Sequence, residues 1–294
     1  MLYFKNMEQR IETGHTLAEF TTFSVGGPVA YTFIAHTISE VCFAYEWARK
    51  KSLPVLVIGK GSNSLYSDGF HEALALICRI DHCLIEDDTV KVGSGYNFSL
   101  LGVQTARAGL SGLEFASGIP ATVGGAIYMN AGANRQETKD ALREVTYCFS
   151  SGEIRTFQKE ELEFSYRKSS FQQMQGCILE ATFILTKDAT ARSKQLQILD
   201  YRIKTQPYKD KSAGCAFKNP GNGLSAGALI ERCGLKGFSM GGAKVSELHA
   251  NFIVNTQNAT AADIDHLMKE VRARVLKETG IDLQPEIRCF NHEI

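Results

Sequence analysis

Two glycine-rich segments, the second of them uncharged, and a G-x-S-x-G pentapeptide are the patterns in this sequence that could carry chemistry. The first segment, Gly59-Lys60-Gly61-Ser62-Asn63-Ser64, follows an apolar run. Its consecutive peptide N–H groups can converge on a phosphate, and Ser62 and Asn63 would add side-chain donors. It lacks the third glycine of a Rossmann fingerprint and runs into the turn Ser67-Asp68-Gly69 instead of a helix. Asp81, at about the right distance for a ribose partner, therefore has no βαβ unit to place it. Taken alone, this loop is also compatible with a tight β-turn. The second segment is Ser117-Gly118-Ile119-Pro120-Ala121-Thr122-Val123-Gly124-Gly125-Ala126. Glycine clusters cost backbone entropy unless something must come close. Two of them favour a flat dinucleotide held by main-chain donors in a site that is not Rossmann.

Gly237-Phe238-Ser239-Met240-Gly241 matches a nucleophile elbow, with Asp263 and His266 following in hydrolase order. An elbow needs a strand before the serine and a helix after it. Here a helix closes at Gly234, and Asp263 and His266 fit the capping turn and face of a long helix. A hydrolase triad is therefore not expected. The eight cysteines contain no C-x-x-C pair and the seven histidines no H-E-x-x-H, so no metal site is expected. Scattered single cysteines read as reduced, small, buried hydrophobes.

The elements that would position these loops are legible from periodicity. Helical spacing covers 38–51, 98–108 and a polar stretch from Asp188 to about Lys204. Apolar runs at 55–58, 74–80 and 90–93 read as strands, 144–149 and 153–158 as a hairpin, and 177–186 as a further strand. Gln206-Pro207 marks the strongest domain boundary. Beyond it come a glycine-rich loop at 212–227, a short helix at 228–233 and a strand at 251–255. A long helix follows, opened by Thr260 and Asp263 and closed at Gly280, and then a strand-like segment at 281–290.

Composition narrows the class. The chain has 294 residues, 44% hydrophobic and 22% charged, which is ordinary for a globular protein of two or three domains. Its 32 basic and 32 acidic side chains cancel, so a nucleic-acid partner is not expected. No apolar run reaches the roughly 18–20 residues of a membrane helix. The N-terminus meets acidic residues before an apolar core could form, which reads against a signal peptide and for a cytoplasmic protein.

Several ordered blocks carry a resemblance. They are Thr22-Phe23-Ser24-Val25-Gly26-Gly27, then 58–65 with Asp68-Gly69, then 112–126 with Met129-Asn130-Ala131-Gly132. Next come Ser165-Tyr166-Arg167-Lys168-Ser169, Ser212-Ala213-Gly214-Cys215-Ala216-Phe217-Lys218-Asn219-Pro220, and 226–231. The last are 234–237, His249 to Asn255, and Pro285-Glu286-Ile287. Together they resemble the MurB family of peptidoglycan synthesis, the UDP-N-acetylenolpyruvoylglucosamine reductases, in its shorter class without the extra tyrosine-bearing loop. The resemblance implies an α+β fold: a PCMH/VAO-type FAD-binding fold in two N-terminal subdomains, plus a C-terminal αβ substrate-binding domain. The implied boundaries are 1–75 and 76–188 for the subdomains (FAD-binding about 22–188), 200–280 for the substrate domain, and 281–294 for a strand returning to the active site.

It also implies an activity: NADPH reduces non-covalent FAD, and the flavin then reduces the enolpyruvyl ether of UDP-N-acetylglucosamine to UDP-N-acetylmuramate. Arg167, Cys215 and Glu286 match the catalytic positions. Ser24, Gly26, Gly27, Gly59, Lys60, Gly61, Ser62, Asn63, Ser64, Gly118, Ile119, Pro120, Ala121, Thr122, Gly124, Gly125 and Ala126 match the FAD-binding blocks. Tyr166, Lys218, Asn219 and His249 match substrate contacts. No metal is implied, and a monomeric cytoplasmic enzyme is expected. The chain departs from the family at Cys215, where serine is usual as the proton donor, and mildly at Ala121, where glycine is common. The alternatives are an FAD-dependent oxidoreductase with another substrate and a non-catalytic nucleotide-binding protein.

Overall fold

The computed structural model describes residues 7–221 and 223–290, so the outermost parts of the expected 1–75 and 281–294 segments lie outside the described residues. Helix Ile38–Lys50 begins where Thr37 accepts the Glu40 N–H, and it buries Val41, Ala44, Tyr45 and Ala48 on one face. Strand Val55–Ile58 runs parallel to His71–Cys78, with Val55 opposite Leu74, and Val29–Ala35 flanks His71–Cys78 on its other side. Burial on both faces explains why Ala73–Cys78 of this strand reads as a continuous apolar run.

A second, antiparallel sheet has the order Ile154–Gln158, Leu142–Phe149, Gly176–Ile184, Thr89–Gly93, Cys83–Glu86. It contains the expected hairpin, with Cys148 opposite Ile154. Helices Phe98–Arg107 and Val123–Tyr128 share its core with Phe115, Phe171 and Phe183.

Close packing divides the chain into two units, each discontinuous in sequence. One contains the chain through Thr13, Tyr31–Lys60 and Glu72–Arg202; the other contains Gly14–Ala30, Gly61–His71 and the chain from Ile203 onward. In the second unit an antiparallel sheet orders Lys211–Cys215, Phe252–Asn255, Ala243–Val245, Ser239–Met240. The helix Ala261–Thr279 packs Ile264, Leu267, Val271 and Val275 into the same core as Ile230 and Phe217.

Four details differ from or refine the sequence reading. The expected 212–227 loop starts as a strand, Lys211–Cys215, which periodicity misses because its buried position is filled by Ala213 instead of a large apolar residue. Of the expected 281–290 strand only Arg288–Phe290 is regular, pairing in parallel with Ser64–Tyr66. Pro285 interrupts the rest, having no N–H for a ladder. Ser239 lies in a β-hairpin opposite Lys244 and not in an elbow, and Asp263 accepts the Thr260 and Gly242 N–H groups. All eight cysteines are free thiols, but only Cys78, Cys148 and Cys177 are buried and Cys289 is exposed. Among the described residues no helix is long and apolar enough to cross a membrane, and no cluster of His, Cys, Asp and Glu could hold a metal.

Candidate active site

Although about sixty residues separate them in sequence, Gly59 of the first glycine segment meets Thr122 of the second within the first unit. A side chain at Gly59 would overlap the Thr122 hydroxyl, so glycine is needed there for contact within the protein itself. The Arg79 guanidinium donates to the Gly59 carbonyl at 2.9 Å and fixes this junction. Beyond it, the N–H groups of Lys60, Gly61, Ser62 and Asn63 donate to no described residue. Unpaired main-chain donors in succession form a cradle suited to an anion.

The second segment behaves differently. Val123 and Gly124 donate to the Tyr96 and Ser94 carbonyls at 2.9 and 2.8 Å, and Gly125 donates to the Thr122 hydroxyl at 3.2 Å. The start of this short helix therefore has its donors engaged internally, contrary to the expectation that both segments offer them. Gly118 donates to the Ser99 hydroxyl, and Ala126 is buried in the core. Ala121 takes no positive φ, so the departure from glycine there costs no backbone strain. Ser24 is exposed with φ +54°, while Gly27 is confined by the backbone of Asp68 and Gly69.

Arg167 sits in the first unit, in the two-residue turn between Phe164–Ser165 and Lys168–Ser169. Its φ is +60°, a region that a non-glycine residue enters at a cost. Its guanidinium donates to the Gly132 carbonyl at 3.0 Å and lies 4.8 Å from the centre of the Tyr166 ring. Three neighbours hold the turn. Gln172 donates to the Arg167 and Tyr128 carbonyls, Ser169 donates to the Tyr128 carbonyl, and buried Asn130 donates to the Ser165 carbonyl at 3.0 Å.

The second unit brings Cys215 and Glu286 onto adjacent backbone segments. Glu286 N–H donates to the Ala216 carbonyl at 2.8 Å, Lys218 N–H to the Gln284 carbonyl at 2.8 Å, and Phe217 faces Pro285. Leu283 and Ile287, both buried, anchor the segment on either side of half-buried Glu286. The Asn63 side chain donates to the Glu286 carbonyl at 3.2 Å, so the amide expected to face a phosphate is engaged in holding this segment. Asn219 uses its carbonyl oxygen on the Ala226 N–H at 3.0 Å, which orders the loop before helix Ala226–Arg232. His249 accepts the Asn251 N–H on Nδ1, and burial pushes its pKa below the usual 6.5, so the neutral ring with a proton on Nε2 prevails near neutral pH.

Arg79, Gln172 and Asn251 carry this geometry without being evident in the sequence. Their hydrogen-bond partners are main-chain atoms brought close by folding, and no local spacing announces that.

Comparison with known proteins gives the family of the chain. Residues 206–290 match the C-terminal domain of UDP-N-acetylenolpyruvoylglucosamine reductase, and residues 12–158 match an FAD binding domain. The reductase of Protochlamydia amoebophila is 48% identical over 96% of this chain and 95% of its own, and that of Chlamydia pneumoniae 44% identical over 94% and 91%. The crystal structure of MurB from Thermus caldophilus superposes with a TM-score of 0.80 at 37% identity, covering 96% of this chain and 99% of that one. The cradle of unpaired N–H groups at 60–63 fits the anionic pyrophosphate that such a domain must hold. The chain belongs to the UDP-N-acetylenolpyruvoylglucosamine reductase family, an oxidoreductase family with a PCMH-type FAD-binding fold.

Proposed function

We propose that this chain, with FAD bound, uses NADPH to reduce the enolpyruvyl ether of UDP-N-acetylglucosamine to UDP-N-acetylmuramate. The observation that supports the reading is the pairing of 216–218 with 284–286, which makes the segments carrying Cys215 and Glu286 neighbours in a chain of this family. FAD, when bound, supplies the hydride for the terminal enol carbon.

Negative charge then develops on the carbon next to the substrate carboxylate. Arg167, a permanent cation, stabilises that charge, and Tyr166 supports the substrate beside it. Glu286 orients the carboxylate end, and Cys215 delivers the proton that completes the lactyl ether. Lys218, Asn219 and His249 hold the UDP-sugar, His249 through its Nε2–H. Ser24, Gly26, Gly27, the 59–64 loop and the 118–126 segment line the FAD site, with the N–H groups of 60–63 on the pyrophosphate. The enzyme acts in the cytoplasm as a monomer in cell-wall precursor synthesis.

The visible spectrum of the purified protein tests this directly. A yellow protein should bleach under anaerobic NADPH and recolour when the UDP-enolpyruvyl sugar is added. Flavin that bleaches without recolouring points to another acceptor, and a protein that takes up no FAD overturns the proposal.

A further inference from the structure

We propose that Asn251 is a positioning residue for the protonation step, its side chain holding the backbone that carries Cys215. The inference rests on the function proposed above. Asn251 is 3% exposed. Its Oδ1 accepts the Phe217 N–H at 3.0 Å, and its Nδ2 donates to the Phe217 carbonyl at 2.8 Å. Its main-chain carbonyl accepts the Ala216 N–H at 2.7 Å, and its own N–H donates to His249 Nδ1 at 3.2 Å.

The regular ladder explains why a side chain is needed here. Lys211–Cys215 pairs with Phe252–Asn255 through a register shift between Ser212 and Cys215, and Cys215 opposite Phe252 is its last pair. Ala216 N–H still finds the Asn251 carbonyl, but at Phe217, two residues past the last pair, the strand partner is gone while the residue stays buried at 1% exposure. The Asn251 amide replaces that partner, one donor and one acceptor matched to the two main-chain groups of Phe217. From there the bonding continues in one line: Ala216 carbonyl to Glu286 N–H, and Glu286 carbonyl to the Asn63 side chain. Asn251 and Asn63 thus clamp the Cys215 and Glu286 segments from opposite edges. Leucine at 251 would leave both main-chain groups of Phe217 unpaired. Aspartate would keep the acceptor but turn a carboxylate oxygen toward the Phe217 carbonyl.

The test compares wild type with Asn251→Asp and Asn251→Leu as FAD-loaded proteins, timing flavin bleaching by NADPH and recolouring by the UDP-enolpyruvyl sugar separately. Both variants should bleach within about twofold of wild type and recolour at least about tenfold more slowly at pH 8. Relative to wild type at each pH, Asn251→Asp should recover as pH falls, because a protonated carboxyl regains the donor to the Phe217 carbonyl; Asn251→Leu should not. Equal slowing of both half-reactions, no slowing, or a pH-independent ratio for Asn251→Asp would overturn the inference. Hydrogen exchange on wild type needs no variant: the Ala216 and Phe217 amides should be strongly protected, and rapid exchange there would also overturn it. A wild-type protein that NADPH cannot bleach, or that the substrate cannot recolour, would instead refute the proposed function.

Discussion

Arg167 holds an unfavourable φ of +60° in a two-residue turn, where glycine or asparagine would sit more easily. Such strain costs on the order of 1–3 kcal/mol and persists where the surroundings over-determine it. Gln172, Ser169 and Asn130 supply that constraint. Asparagine tolerates this conformation, so Arg167→Asn should keep or raise the thermal midpoint while slowing substrate-driven flavin recolouring by about 100-fold or more. A large fall in midpoint would mean that the arginine is structural. Cys215 makes a separate prediction. A thiol titrates at about 8.5 when unperturbed and serine far higher, so turnover should fall at high pH in the native chain but not in Cys215→Ser. Coincident pH profiles would remove Cys215 from the protonation step. Both residues were visible in the sequence only through the blocks around them. The groups that hold them in place were not, because Asn251 reaches Phe217 across 34 positions and Asn130 reaches Ser165 across 35.

At the scale of elements, the helices were the most readable parts. Ile38–Lys50 and Ala261–Thr279 announce themselves by an apolar stripe, a capping threonine and, for the latter, a left-handed Gly280. One cap was not local. The Asp68 carboxylate accepts the N–H groups of Ala261 and Ala262 at 2.8 and 3.2 Å, adding an anion at the positive end of the long helix. Asp68→Ala should therefore destabilise the protein by about 1–2 kcal/mol, seen as a lower urea midpoint with an unchanged slope. No change would mean that water replaces the carboxylate at no loss. The strand Lys211–Cys215 was hidden for the opposite reason: its one buried position is Ala213, and small residues carry no alternating hydrophobic signal. The glycine segments were recognisable as loops, but which of them keeps free N–H groups depended on contacts at Ser94, Tyr96 and Thr122.

Across the whole molecule, balanced charge and ordinary composition excluded classes of partner and left the chemistry to the blocks. Residues 14–30 and 61–71 pack with the chain from Ile203 onward, so neither unit is a continuous stretch of sequence. Local pattern cannot report such interleaving, since periodicity extends over one element and a turn over a few residues. By itself the sequence determined the helices, the hairpin, the two glycine segments and the family to which their ordered blocks belong, because those depend on residue type and short-range spacing. Only the tertiary structure decided that Gly59 meets Thr122, that Cys215 and Glu286 share neighbouring backbone, and that Asn251 and Asn63 hold them. Those are pairings of main-chain groups remote in sequence, selected by which buried N–H and carbonyl groups lack a partner once the sheets have formed.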